Sequence, residues 1–341
     1  MRWIPAGAIL LALNTALADT PPLTPPEMQQ VLRTLQAQFA DPDAAGFTAL
    51  NRAAISGLLK DNPQTIQLLM VPDAPPAVPP LLAGSLTPRI ACIRPPAFRK
   101  EDTGPVRDAL TKFAAGETAA LILDLRAPAA DSDPAIAAEL AALFLPKNTP
   151  LFISAGTADL QSASPIKSAS DPVWTRELII LTDTDTSNTA EILAAVLQLK
   201  KRALIIGSPT RGRTAAVAEL PVRKTDAGQL VLHYTAQRVT FPDMPDPFGK
   251  GLTPDIAVPQ DATAKQAVSA LQAEESLARG VFHAARPRTS EASLVARANP
   301  ELPARIARSA GKPTEFDKQL TDRPLQLAVD MLIADQALKT P

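Results

Sequence analysis

The stretch that decides the fold is ELIILTDTDTSNTAEILAAVLQLKKRALIIGSPTRGRT, from Glu177 to Thr214. It predicts a buried strand over 178–181, a polar turn over 182–187, a helix over 189–199, a second buried strand over 203–206 and a Gly-rich turn. Asn188 followed by Glu191 has the form of a capping box, which predicts Asn188 as the N-cap. A strand that leads through a polar turn into a helix N-terminus is where many enzymes hold a nucleophile or an oxyanion.

Strands also alternate with helices before and after this stretch. From residue 86 onward, apolar runs alternate with helical patterns. They predict strands at 86–95, 119–125 and 151–154 and helices at 102–114 and 134–145. Further strand-like runs follow at 215–222, 229–234 and 238–241, with a hairpin turn at 226–228. This alternation predicts an α/β domain with helices packed on a sheet.

Composition shifts divide the chain into five predicted segments. They are a signal peptide over 1–18, an N-terminal helical arm over 19–71, a Pro-rich linker over 72–85, the α/β core over 86–260 and a helical extension over 261–341. The first segment has an apolar run too short to span a bilayer, followed by the small-residue site Ala16-Leu17-Ala18. We therefore expect a secreted or periplasmic protein without a stable membrane anchor after signal removal.

Charge and residue usage exclude several classes of function. The formal net charge is -1 with the signs interspersed, which gives no field for a nucleic-acid partner. The only cysteine, Cys92, lies in an apolar strand-like run and is expected to be a buried, inert thiol. The two histidines are fifty residues apart, so we predict neither a metal site nor a cofactor.

Four motifs in register resemble the carboxyl-terminal-processing, or tail-specific, serine peptidase family. They are LILDLR at 121–126, TSNTAEILAAVLQ at 186–198, RALIIGSPTRGRT at 202–214 and GKGLTPDIAV at 249–258. The resemblance covers roughly residues 86–271 and implies a crotonase-like α/β core. It also implies a polypeptide substrate and a Ser/Lys catalytic dyad without a cofactor.

The same resemblance places the family's nucleophile at Asn188 and its base at Arg213. Both residues have the wrong chemistry, because an amide is not an activatable nucleophile and an arginine does not give up its proton. The Gln that assists the base in many members is Val217 here, and Ala127-Pro128-Ala129-Ala130 replaces the segment whose Gly-Gly helps form the oxyanion hole. The resemblance therefore implies no catalytic residue, with Asn188 and Arg213 as binding residues and Ser187 as the fallback nucleophile.

The family's peptide-binding PDZ insert is also missing, since only VPDAPPAVPP at 71–80 stands in its place. We expect a catalytically inactive protein that binds a polypeptide or a partner protein through the degenerate cleft. Two other functions stay open from the sequence. One is an active serine peptidase with an unconventional site, and the other is a structural subunit that assembles into an oligomer through its C-terminal helices.

Overall fold

A computed structural model describes residues 24–38, 47–62, 65–73, 80–127, 133–156, 163–281, 306, 309 and 320–339. The predicted signal peptide and residues 74–79 of the predicted linker lie outside these ranges. The chain forms two compact units, Met1–Pro63 and Gln64–Pro341. The first unit contains helices α1 (Pro25–Gln38) and α2 (Phe47–Asp61). A search of the described helices finds none with the length and apolar character that crossing a membrane requires.

Within the described residues, the strands and the other helices lie in the second unit. The strands are β1 (Ile66–Val71), β2 (Leu82–Thr87), β3 (Ile90–Arg94), β4 (Ala120–Asp124), β5 (Pro150–Ala155), β6 (Ile166–Lys167), β7 (Glu177–Thr182), β8 (Leu204–Gly207), β9 (Ala215–Thr225), β10 (Gly228–Thr240) and β11 (Ile256–Ala257). The helices are α3 (Lys100–Ala115), α4 (Pro134–Ala141), α5 (Asn188–Leu199), α6 (Ala262–Glu274) and α7 (Arg323–Lys339). The predicted α/β class is confirmed.

A six-stranded sheet in the order β11-β8-β7-β4-β3-β2 forms the centre of this unit. Strands β3, β4, β7, β8 and β11 run parallel, and β2 pairs antiparallel with β3. Parallel strands joined by helices are covered on both faces, which explains why the central strands read as continuous apolar runs in the sequence.

The two faces of this sheet pack against different helices. Successive side chains alternate between the faces, so Leu121 and Ile180 pack on the side of α3, α4 and α5. Ile122 and Ile179 pack instead on the side of α7. The residues predicted as a C-terminal helical extension therefore bury the second face of the core sheet, because α7 places its apolar residues there.

The second sheet is organised around the long strand β10. This strand pairs with β9 in a hairpin, and on its other side it pairs with β1 and then with β5. The hairpin turn predicted at 226–228 is confirmed. Strand β1 falls inside the range predicted as the helical arm, and β2 begins inside the predicted linker. The apolar run at 66–71 is short and extended, and its pairing with a partner distant in sequence gives no local signal.

Cys92 is fully buried in the middle of β3. Burial raises the pKa of its thiol well above the usual range. The expectation of a buried cysteine is confirmed, and the thiol is in the form that does not react with electrophiles.

Candidate functional site

The polar turn before α5 is fixed by hydrogen bonds to two other segments. Thr186 Oγ1 donates to Leu125 O at 2.9 Å, which ties the turn to the chain after β4. Thr186 O accepts from Arg211 N at 3.0 Å, which ties it to the turn after β8. Thr186 Oγ1 also accepts from Asp183 N at 3.0 Å, so the turn is closed on itself. The first turn of α5 therefore starts from a fixed position.

Asn188 is the first residue of α5, and its backbone has a φ of 50°. Ser187 precedes it in an extended conformation and is the N-cap, although its side chain makes no capping hydrogen bond. The prediction that Asn188 is the N-cap is wrong, because a capping residue needs extended rather than left-handed backbone. Asparagine is one of the few residues that tolerates such a φ. Its Oδ1 is buried without a hydrogen-bond partner among the described residues.

Glu191 is the charged residue that organises this region. It is fully buried in α5, and its carboxylate accepts from Gly212 N at 2.8 Å, Arg213 N at 2.7 Å and the hydroxyl of Thr210. Burial raises the pKa of Glu191, and the hydrogen bonds oppose that shift. The predicted role in a capping box is wrong, because the carboxylate reaches across to another turn. The signal in the sequence for this buried carboxylate is a glutamate among the apolar residues of a helix.

The turn at 210–213 is also held from its other side by the loop that carries GKGLTPDI. Gly212 has a φ of 81°, and its O accepts from Gly249 N at 2.8 Å. A Cβ at Gly212 would lie 2.8 Å from Gly251 N, so only glycine fits this approach. Leu252 N donates to Thr210 Oγ1 at 2.7 Å. Two of the sequence motifs therefore pack directly against each other.

Arg213 follows this turn and is half-buried. Its Nη1 donates to Gln67 Oε1 of β1 at 3.2 Å. Burial, together with the charge of Arg211, lowers the pKa of Arg213, whereas Glu191 raises it. The sequence did not predict Gln67 as a partner of Arg213. No strand was predicted at 66–71, and the resemblance placed the residue that assists the base at position 217, which is a valine.

The structure brings together the two segments that carry the predicted site residues. Asn188 and Glu191 lie one helical turn apart on the same face of α5, and the carboxylate of Glu191 binds the backbone at Arg213. We call this region the α5 site and define it as residues 187–191 and 210–213. Of the predicted replacement for the Gly-Gly segment, Ala127 is described, and Pro128, Ala129 and Ala130 lie outside the described residues.

A buried ion network lies beneath the chain that follows β4. Arg126 donates through Nε and Nη2 to both carboxylate oxygens of Asp124, each at 2.8 Å, and through Nη1 and Nη2 to both oxygens of Asp322, again at 2.8 Å. Arg94 makes a second ion pair with Asp124 at 2.7 Å. Asp124 and Arg126 are the two charged residues of the LILDLR motif, and the structure pairs them with each other. Asp322, which lies just before α7, was not predicted as a partner of Arg126.

The model of peptidase family S41 matches residues 89–258, a range that contains the parallel strands, the α5 site and the GKGLTPDI loop. Residues 89–258 are therefore a domain of peptidase family S41. The family resemblance identified from the four motifs is thus confirmed.

Among curated proteins, the chain is similar to the chloroplastic carboxyl-terminal-processing peptidase 2 of Arabidopsis thaliana. The two are 31% identical over 183 residues, which are 52% of this chain and 33% of the relative. The chain therefore spans about a third of that relative's length.

Solved structures of proteases give more distant likenesses. The photosystem II D1 C-terminal processing protease is 23% identical with a TM-score of 0.41, covering 57% of this chain and 47% of that chain. Mature CPAF is 14% identical with a TM-score of 0.41, covering 49% of this chain and 46% of that chain.

We expect that restoring the S41 dyad residues alone does not restore turnover. The double variant Asn188→Ser, Arg213→Lys supplies a hydroxyl and a titratable amine, but position 217 remains a valine and the alanines at 129 and 130 remain. Oxyanion donors contribute about 10²- to 10³-fold to the rate, and positioning errors of about 1 Å cost a further 10²-fold. Hydrolysis of a fluorogenic peptide should stay at the level of the control variant Asn188→Ala, Arg213→Lys. Turnover well above that control would contradict this prediction.

Proposed function

We propose that this chain is a catalytically inactive S41 protein that binds polypeptide at the α5 site. The observation that supports this proposal most directly is the buried Oδ1 of Asn188, which lacks a hydrogen-bond partner among the described residues. A buried acceptor without a partner costs about 1–3 kcal/mol, and a ligand N–H would remove that cost. The backbone of a polypeptide presents such N–H groups along its whole length.

The chemistry of the second position agrees with binding rather than catalysis. Arg213 carries its charge at physiological pH even with a lowered pKa, because a guanidinium starts above about 12. It is therefore a hydrogen-bond donor suited to a peptide carbonyl or a chain-terminal carboxylate and not a base. Asn188 accepts and Arg213 donates, which matches the alternating donors and acceptors of a peptide backbone.

The test uses an unfolded, fluorescein-labelled casein as the probe. Fluorescence anisotropy should show binding by the wild-type chain, while gel analysis of the same samples shows no fragments. Asn188→Ala should weaken binding about 3- to 10-fold, which is the range expected for one hydrogen bond. Asn148→Ala is the matched control, because Asn148 also has a positive φ, of 66°, but lies in an exposed turn outside the α5 site.

Two results would contradict this proposal. The first is hydrolysis of casein that Ser187→Ala abolishes, which would support an active serine peptidase with an unconventional nucleophile. The second is an affinity that falls equally in the Asn188→Ala and Asn148→Ala variants, because that would indicate general destabilisation rather than a contact with the ligand.

We also infer that the protein acts after export. The support is the sequence of residues 1–18, which has the composition of a signal peptide with cleavage after Ala18. Polypeptides that pass through a secreted or periplasmic compartment are then the available ligands. N-terminal sequencing of protein purified from its native compartment should begin at Asp19, and a chain that retains Met1 would contradict export.

A further inference from the structure

Lys265 of α6 binds the turn that leads into α5 and the chain that follows β4. Its ammonium group lies 2.6 Å from Asp183 Oδ2 and 2.7 Å from Asp185 Oδ2, in the turn that precedes Asn188. It also donates to Arg126 O at 3.0 Å, on the chain after β4. An ammonium has three N–H donors, so these contacts use its full capacity. The side chain is 21% exposed.

Asp185 connects this contact to the other half of the α5 site. Asp185 also pairs with Arg211, whose Nε donates to Thr184 O at 3.0 Å. Arg211 opens the turn that ends at Arg213. Lys265 is therefore linked, through Asp185, to the backbone on which Arg213 stands, and through the turn itself to the backbone on which Asn188 stands.

Without Lys265, Asp183 would lose its ion-pair partner beside the carboxylate of Asp185, which Arg211 also pairs. Burial raises the pKa of Asp183, against the hydrogen bond and charge of Lys265, whereas the hydrogen bond from Lys265 lowers the pKa of Asp185. The two carboxylates therefore share one positive partner at short range. Removing that partner leaves like charges side by side, one of them partly buried.

We propose that Lys265 is a positioning residue for the α5 site, so that the C-terminal region beyond residue 260 sets the geometry with which polypeptide is bound. This inference rests on the proposed function. It assigns to α6 a role distinct from that of α7, which covers the apolar face of the sheet.

A second lysine provides a matched control. The turn that Lys265 binds follows the carboxyl end of β7, and the second lysine binds the amino end of the same strand. Lys339 of α7 pairs with Glu177, the first residue of β7, and with Asp335. Like Lys265, it comes from the C-terminal region and bridges two carboxylates. Unlike Lys265, it lies at the amino end of β7, away from the α5 site.

The first arm of the test measures binding of the labelled casein. Lys265→Met should weaken binding about 10-fold, while Lys339→Met leaves it unchanged. Lys265→Arg keeps the charge and should recover affinity to within about 3-fold of the wild type. The proposal would be overturned if Lys339→Met lost as much affinity as Lys265→Met. The loss would then not depend on the contact that Lys265 makes beside the α5 site.

The second arm does not depend on a ligand. Hydrogen exchange followed by mass spectrometry should show about 10-fold faster exchange at the amides of residues 185–186 and 211–213 in Lys265→Met, with wild-type rates in Lys339→Met. Unchanged exchange in Lys265→Met would overturn the proposal, even if binding fell, because Lys265 would then contact the ligand instead of positioning the site. If the wild type binds no casein, the proposed function fails and this arm alone decides the role of Lys265.

Discussion

Replacing Arg126 with methionine is expected to lower the free energy of unfolding by about 3–5 kcal/mol, the range for breaking a buried ion pair by removing one partner. The guanidinium is 6% exposed and satisfies both carboxylates of Asp124 and Asp322. Methionine fills a similar volume but leaves those charges without their main partner. Urea unfolding followed by circular dichroism measures the change.

The matched control for this variant is Arg279→Met. Arg279 pairs with Glu275 four residues away, with side chains that are 54% and 49% exposed, and such a pair contributes at most about 1 kcal/mol. If Arg126→Met does not fold, Asp322→Asn gives a milder test, because asparagine keeps the shape and an acceptor oxygen. A loss in either buried variant no larger than in Arg279→Met would contradict the prediction.

The same network predicts how stability depends on pH. Burial disfavours ionised Asp124, but the charges and hydrogen bonds of Arg126 and Arg94 outweigh it, so its pKa lies well below the usual 3.8. A carboxyl group with a lowered folded-state pKa contributes stability above its unfolded-state pKa and loses it as the pH falls. The contribution of Asp124 should therefore be complete above about pH 4 and decline below it.

Glu191→Gln is expected to lower the free energy of unfolding by about 2–3 kcal/mol, since hydrogen bonds to charged groups are worth about 1.5–3 kcal/mol. The carboxylate accepts from Thr210, Gly212 and Arg213, and a glutamine has one acceptor oxygen and an NH₂ group that faces another donor. The turn at 210–213 should loosen, so casein binding should weaken as well. Urea unfolding and anisotropy measure the two effects.

Glu139→Gln is the control for this second variant. Glu139 lies exposed on α4, where the same substitution should change stability by no more than about 0.5 kcal/mol. A change of that size in Glu191→Gln would show that the carboxylate contributes little to holding the turn, and the account of the α5 site given above would be wrong.

Local patterns were sufficient to predict the central sheet and the helices on it. The runs that became β4, β7 and β8 are apolar except at their ends, because both faces of a parallel sheet are buried. The periodicity of α5 was visible for the same reason that the helix is stable, since its apolar face packs on that sheet. The positions of Asn188 and Arg213 came from motif spacing.

Contacts between segments that are distant along the chain could not be predicted from the sequence. Glu191 matched a capping box because its spacing from Asn188 is local, whereas its observed partners lie about twenty residues further along the chain. Gln67 and Asp322 carry no motif, and only the pairing of β1 with β10 and the packing of α7 bring them to their partners. Such pairings depend on which surfaces meet, which a single sequence does not encode in any short pattern.

Buried Cys92 also makes the native thiol a built-in probe of sheet opening. A thiol reagent attacks the thiolate, and the folded state withholds it both by enclosing Cys92 within β3 and by raising its pKa. Modification must then wait until the strand is uncovered, so its rate reports how often the central sheet comes apart. Because the chain has one cysteine, a single mass increment marks each molecule that has opened. Because Cys92 does not react in the folded state, a cysteine introduced on the surface can be labelled selectively. Cys92 does not have to be replaced first.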